Sequence, residues 1–167
     1  MTDRVELRLA QTSDAKDIAD MLWQLARDLG DLDTFASTPE TIAAHGFGPD
    51  SVFSSYIARS GDTPVGLAVF FRHFSTTLGR PGVYVQDLWI APQMRGQRLG
   101  ERLLAAVAHH AEQSWQAGYM QLTVYQDNPR AAQFYQRLGF STHANDTPMS
   151  ARNQVFKDLL QQGGKPA

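Results

Sequence analysis

A chain of 167 residues with 43% apolar content can bury a full core, which excludes an intrinsically disordered polypeptide. Its net charge of -2 argues against non-specific nucleic-acid binding, which needs a basic face to neutralise phosphates. With no cysteine there are no disulfides, no thiolate metal ligands and no cysteine nucleophile.

The opening MTDRVELRL has no apolar h-region and no run reaches ~18 apolar residues, so a cytoplasmic protein with no membrane partner is expected. Val5, Leu7 and Leu9 alternate with Glu6 and Arg8, the pattern of a half-buried first strand. Thr12 or Ser13 caps a helix whose apolar face is Ile18, Met21, Leu22, Leu25 and Leu29 and which Gly30 ends. Thr38 and Pro39 open a short helix that runs to His45. Phe53, Ser55 and Ile57 begin a strand, Gly61-Asp62 turns it, and residues 65–74 return antiparallel. Gly79, Pro81 and Gly82 make residues 75–82 a predicted loop.

Residues 83–90, VYVQDLWI, are β-branched and aromatic and predict a mostly buried strand interrupted by Asp87. Pro92 stops it, the turn 93–98 carries Gly96, and Leu99, Leu103, Leu104 and Val107 recur at helical spacing. Strand, glycine turn and helix together direct unpaired amides and the positive end of the helix dipole at one point, where a phosphate should sit. Residues 119–125 alternate as a strand, Asn128 and Pro129 start a last helix that Gly139 ends, Phe140 starts a strand, and Val155 to Leu159 is read as the final one. Residues 1–160 are one predicted domain, and 161–167, with Gly163-Gly164 and Pro166, form a flexible tail.

The words Arg95-Gly96-Gln97-Arg98-Leu99-Gly100, Asn128-Pro129-Arg130-Ala131-Ala132-Gln133-Phe134-Tyr135 and Leu138-Gly139-Phe140 resemble those of the Gcn5-related N-acetyltransferase (GNAT) superfamily. Within it, Phe70-Phe71 and the run from Gly79 to Leu88 are similar to the diamine (spermidine/spermine) acetyltransferase branch. The resemblance implies an α+β fold, β-α-α-β-β-β-α-β-α-β, with a mixed, mostly antiparallel sheet, helices on both faces and splayed central strands. Its phosphate loop places an inner Gly where this chain has Arg98; the amide there remains available to a phosphate if Arg98 is helical, whereas a positive φ would be strained.

Carried onto this sequence, the resemblance implies acetyl-CoA as cosubstrate. Leu88, Trp89 and Ile90 would offer main-chain amides to the thioester arm and oxyanion, Arg95, Gly96, Gln97, Arg98, Leu99 and Gly100 would hold the pyrophosphate, and Asn128 and Ala131 would touch the cofactor's other flank. Tyr135 falls where the superfamily places the general acid for the thiolate. The diamine branch carries a Glu just before the Asp of its central strand, and this chain has Gln86, which cannot accept a proton but can position a water or an amine. Strict alternation puts Gln86 and Asp87 on opposite faces, so Asp87 is not a simple replacement. The missing charge also argues against a polyamine acceptor.

No metal site is expected: His109 and His110 point different ways along a helix, and His73 and His143 are single. Asp28, Asp31, Asp33 and Glu40 would favour a cationic amine if they line the acceptor pocket. The expected function is acetyl transfer to a primary amine of a small molecule by direct attack, in a chain whose exposed aromatics are compatible with a homodimer. The alternatives are a non-catalytic acyl-CoA-binding module and an acetyltransferase for a protein N-terminus or lysine.

Overall fold

The computed structural model describes residues 5–143 and 145–162 and divides into two compact units, Met1–Asp127 and Asn128–Ala167. The first unit holds one five-stranded sheet in the order β1 (Val5–Leu9), β2 (Ser54–Ser60), β3 (Thr63–Ser75), β4 (Arg80–Ile90), β5 (Met120–Leu122). The first four strands pair antiparallel and β5 joins β4 in parallel.

Two helices precede β2. In α1 (Ala15–Leu29) the residues Ile18, Met21, Leu22 and Ala26 are buried at helical spacing, and Gly30 closes the helix at φ 80°, a left-handed position that a side chain would strain. In α2 (Pro39–Gly46) Thr38 and Thr41 exchange reciprocal side-chain bonds at the N-terminus. On the opposite face of the sheet lies α3 (Leu99–Trp115), whose Leu99, Leu103 and Val107 are almost fully buried. That helix crosses β3 so closely that a Cβ on Gly66 would stand 3.1 Å from Leu103 Cδ1. No helix among the described residues is long and apolar enough to cross a membrane.

The mixed, mostly antiparallel sheet with helices on both faces is the architecture expected, with differences at three places. Residues 75–82 are not all loop: β3 reaches Ser75 and β4 begins at Arg80, leaving a four-residue connection. Gly82 misled because its role is close approach, not turning; a Cβ there would lie 2.3 Å from the Tyr119 ring, and Trp115 Nε1 donates to the Gly82 carbonyl at 3.0 Å. The strand expected over 119–125 keeps only three residues in the ladder.

The third difference falls in the second unit. Phe140 lies in no strand, and Val155 to Leu159 belongs to a helix, α5 (Asn153–Gln162). Val155, Phe156, Leu159 and Leu160 recur at the i, i+1, i+4, i+5 spacing of a helix, a period that a five-residue window does not show. The tail expected from residue 161 starts inside α5, and residues 163–167 lie outside the described residues. The unit opens with α4 (Pro129–Arg137), where Asn128 Oδ1 accepts from the Ala131 amide at 3.1 Å.

One charged cluster locks the start of α1 to the sheet. Asp14 is 2% exposed, accepts both arms of Arg8 at 2.7 and 2.8 Å and the Gln11 amide at 2.7 Å, and meets Arg59 at 3.3 Å. These bonds, Arg8's first, hold its carboxyl down at about 2 against an ordinary 3.8. A depressed folded-state pKa gives stability that is present above the unfolded value and lost as pH falls through the folded one. Asp14→Asn should therefore destabilise the protein by about 2 kcal/mol in urea at pH 7, and the gap from wild type should close between pH 4 and pH 2.

Candidate active site

The central feature is a slip in the β3–β4 ladder. Phe70 pairs with Val85 and the next residue, Val69, pairs with Asp87, so Gln86 is an extra residue on β4. Unbroken alternation would put Val83, Val85, Asp87 and Trp89 on one face. The bulge instead leaves Val85 beside Phe70, whose ring packs on His110 of α3, and turns Asp87 to the α1 side beside Val69. Alternation therefore does not separate Gln86 from Asp87, contrary to the sequence expectation. Gln86 itself is exposed.

The same point is where β4 and β5 part. Their ladder covers only Val83 to Val85 against Met120 to Leu122, whereas β4 continues to Ile90. Tyr84 and Thr123 hydroxyls, 2.7 Å apart, close the fork. Past it, Leu88, Trp89 and Ile90 have no β5 neighbour in the ladder, the splay that the sequence resemblance implied.

Beside the fork lies a cavity of about 540 Å³. Leu22, Leu25, Ala26 and Leu29 of α1 form its apolar wall, the 31–41 link adds Asp31, Thr34, Phe35, Ala36, Ser37 and Thr41, and Asp87 and Tyr125 complete it. Its charged residues are two carboxylates, with no basic side chain in the lining. The Tyr125 hydroxyl donates to Asp31 at 2.9 Å. Asp87 makes no hydrogen bond or ion pair among the described residues, and burial pushes its carboxyl up to about 6. Of the acidic cluster noted in the sequence, Asp31 lines this cavity and Asp28 turns to Arg95.

Ahead of α3, residues 92–94 make a short 3₁₀ turn, Gly96 adopts φ 78° and Arg98 adopts φ 60°. Arg98 is thus not helical but holds the left-handed conformation of a glycine, at a strain of about 1–2 kcal/mol. Its guanidinium turns to Glu101, with Nε donating at 2.9 Å. The N-cap supplies no side-chain acceptor, and the amides of Gly96, Gln97, Arg98, Leu99, Gly100 and Glu101 have no partner among the described residues. Such a row of free N–H groups at a helix start is an anion cradle. Arg95 is built differently: its amide donates to the Pro92 carbonyl at 3.3 Å, its Nε to the Ile90 carbonyl at 2.9 Å and its Nη2 to Asp28 at 2.7 Å.

Residues 17–140 match the sequence profile of the Acetyltransferase (GNAT) family. The chain belongs to that family. It is an N-acetyltransferase, and GNAT acetyltransferases use acetyl-CoA. The thialysine N-epsilon-acetyltransferase of Mus musculus is 30% identical over 141 residues, 80% of this chain and 82% of that protein. Among solved structures, an integron cassette protein from the mobile metagenome of V. cholerae superposes with a TM-score of 0.78 at 20% identity, over 97% of this chain and 99% of its own. An aminoglycoside N-acetyltransferase, AAC(6')-Iy, in complex with CoA gives 0.68 at 17% identity, over 90% and 95%. Both structural likenesses speak to the GNAT fold alone.

In the second unit Tyr135 sits on α4 between the rings of Phe134 and Phe140, with centroids at 5.0 and 5.5 Å. Asn128 spends its side-chain carbonyl on the Ala131 amide, which occupies both groups at that helix start. Asp87 is the residue that the sequence reading set aside, on the ground of strict alternation that the bulge removes. The available signal was a lone carboxylate inside an apolar strand, a placement that burial makes expensive and a site makes useful.

Arg98→Gly removes the left-handed strain while keeping the amide. It should raise stability by about 1 kcal/mol, read as a rise in Tm of several degrees, and leave affinity for coenzyme A unchanged.

Proposed function

We propose that this GNAT enzyme transfers the acetyl group of acetyl-CoA to the primary amine of a small cationic molecule, by direct attack and without an acyl-enzyme. The observation that carries the reading is Asp87, a half-buried carboxylate with no hydrogen-bond or ion-pair partner among the described residues, in the cavity that opens beside the strand fork. A cavity of about 540 Å³ has room for a small ligand, and two carboxylates with no opposing cation favour a positively charged acceptor that bears no anionic group of its own.

The chemistry needs a neutral amine, a donor for the oxyanion and a proton for the departing thiolate. An amine arrives as an ammonium, and the apolar wall of Leu22, Leu25 and Leu29 lowers its pKa by desolvation. Asp87, ionised above pH 6, takes the proton as the nitrogen lone pair turns to the thioester carbon. The carbon–nitrogen bond forms as the carbonyl π pair moves to oxygen; when that oxyanion collapses the carbon–sulfur bond breaks, and the nitrogen gives its second proton to solvent. The amides past the bulge, at Leu88 to Ile90, are the candidate oxyanion donors, and those of Gly96 to Gly100 the candidate pyrophosphate cradle. Arg95, tied to Ile90 and Asp28, fixes the start of that cradle. Gln86 orients a water or the amine, Asn128 and Ala131 flank the cofactor, and Tyr135 protonates the thiolate, roles that rest on the family resemblance.

The reading as a silent acyl-CoA-binding module is disfavoured by Asp87, because partly desolvating a carboxylate that has no partner among the described residues is destabilising and a binding module gains nothing from it.

Calorimetry with acetyl-CoA should show saturable binding; no heat at millimolar cofactor would end the acetyltransferase assignment of this site. Tyr135→Phe should lower kcat while leaving the KM for acetyl-CoA near wild type. Asp87→Asn has two expected effects of opposite kind. Turnover with an amine panel should fall by about 100-fold or more, and the wild-type rate should itself decline below pH 6 as the carboxyl protonates. Because the folded-state pKa is raised, wild-type stability falls as pH rises from about 4 to 6, so Asp87→Asn should be more stable than wild type by about 2 kcal/mol at pH 8 and equal to it at pH 4. An activity loss accompanied by a lower Tm at pH 8 would contradict the assignment.

A further inference from the structure

We infer that Asp28 and Arg95 form a tie that transmits occupancy of the amide cradle to the acceptor wall, so that cofactor binding firms the cavity before the amine enters. The inference rests on the acetyl-CoA reading of the cradle. Arg95 immediately precedes the run of free amides, and its planar guanidinium is held at two points: Nε donates to the Ile90 carbonyl at 2.9 Å, Nη2 to Asp28 Oδ2 at 2.7 Å. One side chain thereby joins three elements, the end of β4, the cradle and the last turn of α1.

Asp28 stands one residue from Leu29 and three from Leu25, and both leucines line the cavity. Arg27 adds a second cation 3.7 Å from the same carboxylate. The Arg95 and Asp28 side chains are 37% and 29% exposed, and an ion pair that wet contributes little to global stability. Its effect is geometric. A diphosphate on amides 96–101 restrains the main chain that carries Arg95; the fork passes that restraint to Asp28, and the last two turns of α1 lose motion. An acceptor then meets walls whose ordering entropy has already been spent, which is positive coupling without a new contact. Asp28 is in this sense a positioning residue: it touches neither cofactor nor amine.

Hydrogen exchange with coenzyme A as the probe tests this without an identified acceptor. In wild type, saturating coenzyme A should slow exchange of the amides of residues 22–29 by about fivefold or more. Asp28→Asn and Arg95→Lys, each saturated with coenzyme A as judged by calorimetry, should lose that slowing while residues 103–111 of α3 stay as protected as in wild type. Arg95→Lys keeps the charge but cannot make both bonds of the fork, so it separates geometry from electrostatics. Asp20→Asn breaks the exposed Lys16–Asp20 pair on the same helix and should keep the full slowing. Equal slowing of residues 22–29 in wild type and both tie variants, or none in a wild type that binds coenzyme A, overturns the tie. A wild type that binds no coenzyme A would instead overturn the acetyl-CoA reading on which the tie rests.

Discussion

Everything in the candidate site depends on β4 gaining one residue against β3 at Gln86. In a sheet the side-chain period is two, so one inserted residue reverses the facing of all that follow. Upstream of the bulge, Val83 and Val85 belong to the core under α3; downstream, Asp87 and Trp89 belong to the α1 side. The strand loses its β5 neighbour at the same place, so a carboxylate is delivered to a cavity and a stretch of main chain to an open edge in one step. Either change alone would be a defect. Together they make a place where an amine and an extended thioester arm can meet.

The two ends of that place are stabilised by different means. At the start of α1, Asp14 is satisfied by two arginines and a main-chain amide, a closed charge cluster that holds β1, β2 and α1 in register. At the cavity, Asp87 has no side-chain partner among the described residues, and desolvation raises its carboxyl to about 6. The contrast between a buried aspartate held ionised by its partners and a half-buried one raised by desolvation separates structural from chemical use of the same side chain. Strain follows the same pattern. Gly96 takes its left-handed turn freely, whereas Arg98 takes it under strain, with its guanidinium turned to Glu101.

Much of this was legible in the sequence. The periodicity of α1 and α3, the Thr38-Pro39 start, the Asn128-Pro129 start and the glycine turn ahead of α3 are local signals, and local structure follows them. The GNAT assignment came from words spread along the chain and agrees with the family match over residues 17–140. What was not legible has a common cause, which is that it is set by partners distant in sequence. The bulge depends on how β3 registers against β4, and nothing in VYVQDLWI announces it. Gly82 read as a turn until the Tyr119 ring was seen against it. The partner of the Arg95 guanidinium, Asp28, lies 67 residues away in the chain. Val155 to Leu159 is the exception, a plain error of period over too short a window.

The most direct test of the central claim is a crystal structure with acetyl-CoA bound. The account expects the pyrophosphate on the amides of residues 96–101 and the thioester carbonyl beside the main chain of residues 88–90, with Asp87 facing the carbonyl carbon from the cavity. A cofactor lodged elsewhere, or β4 and β5 paired continuously past Val85 with no gap for the arm, would contradict it.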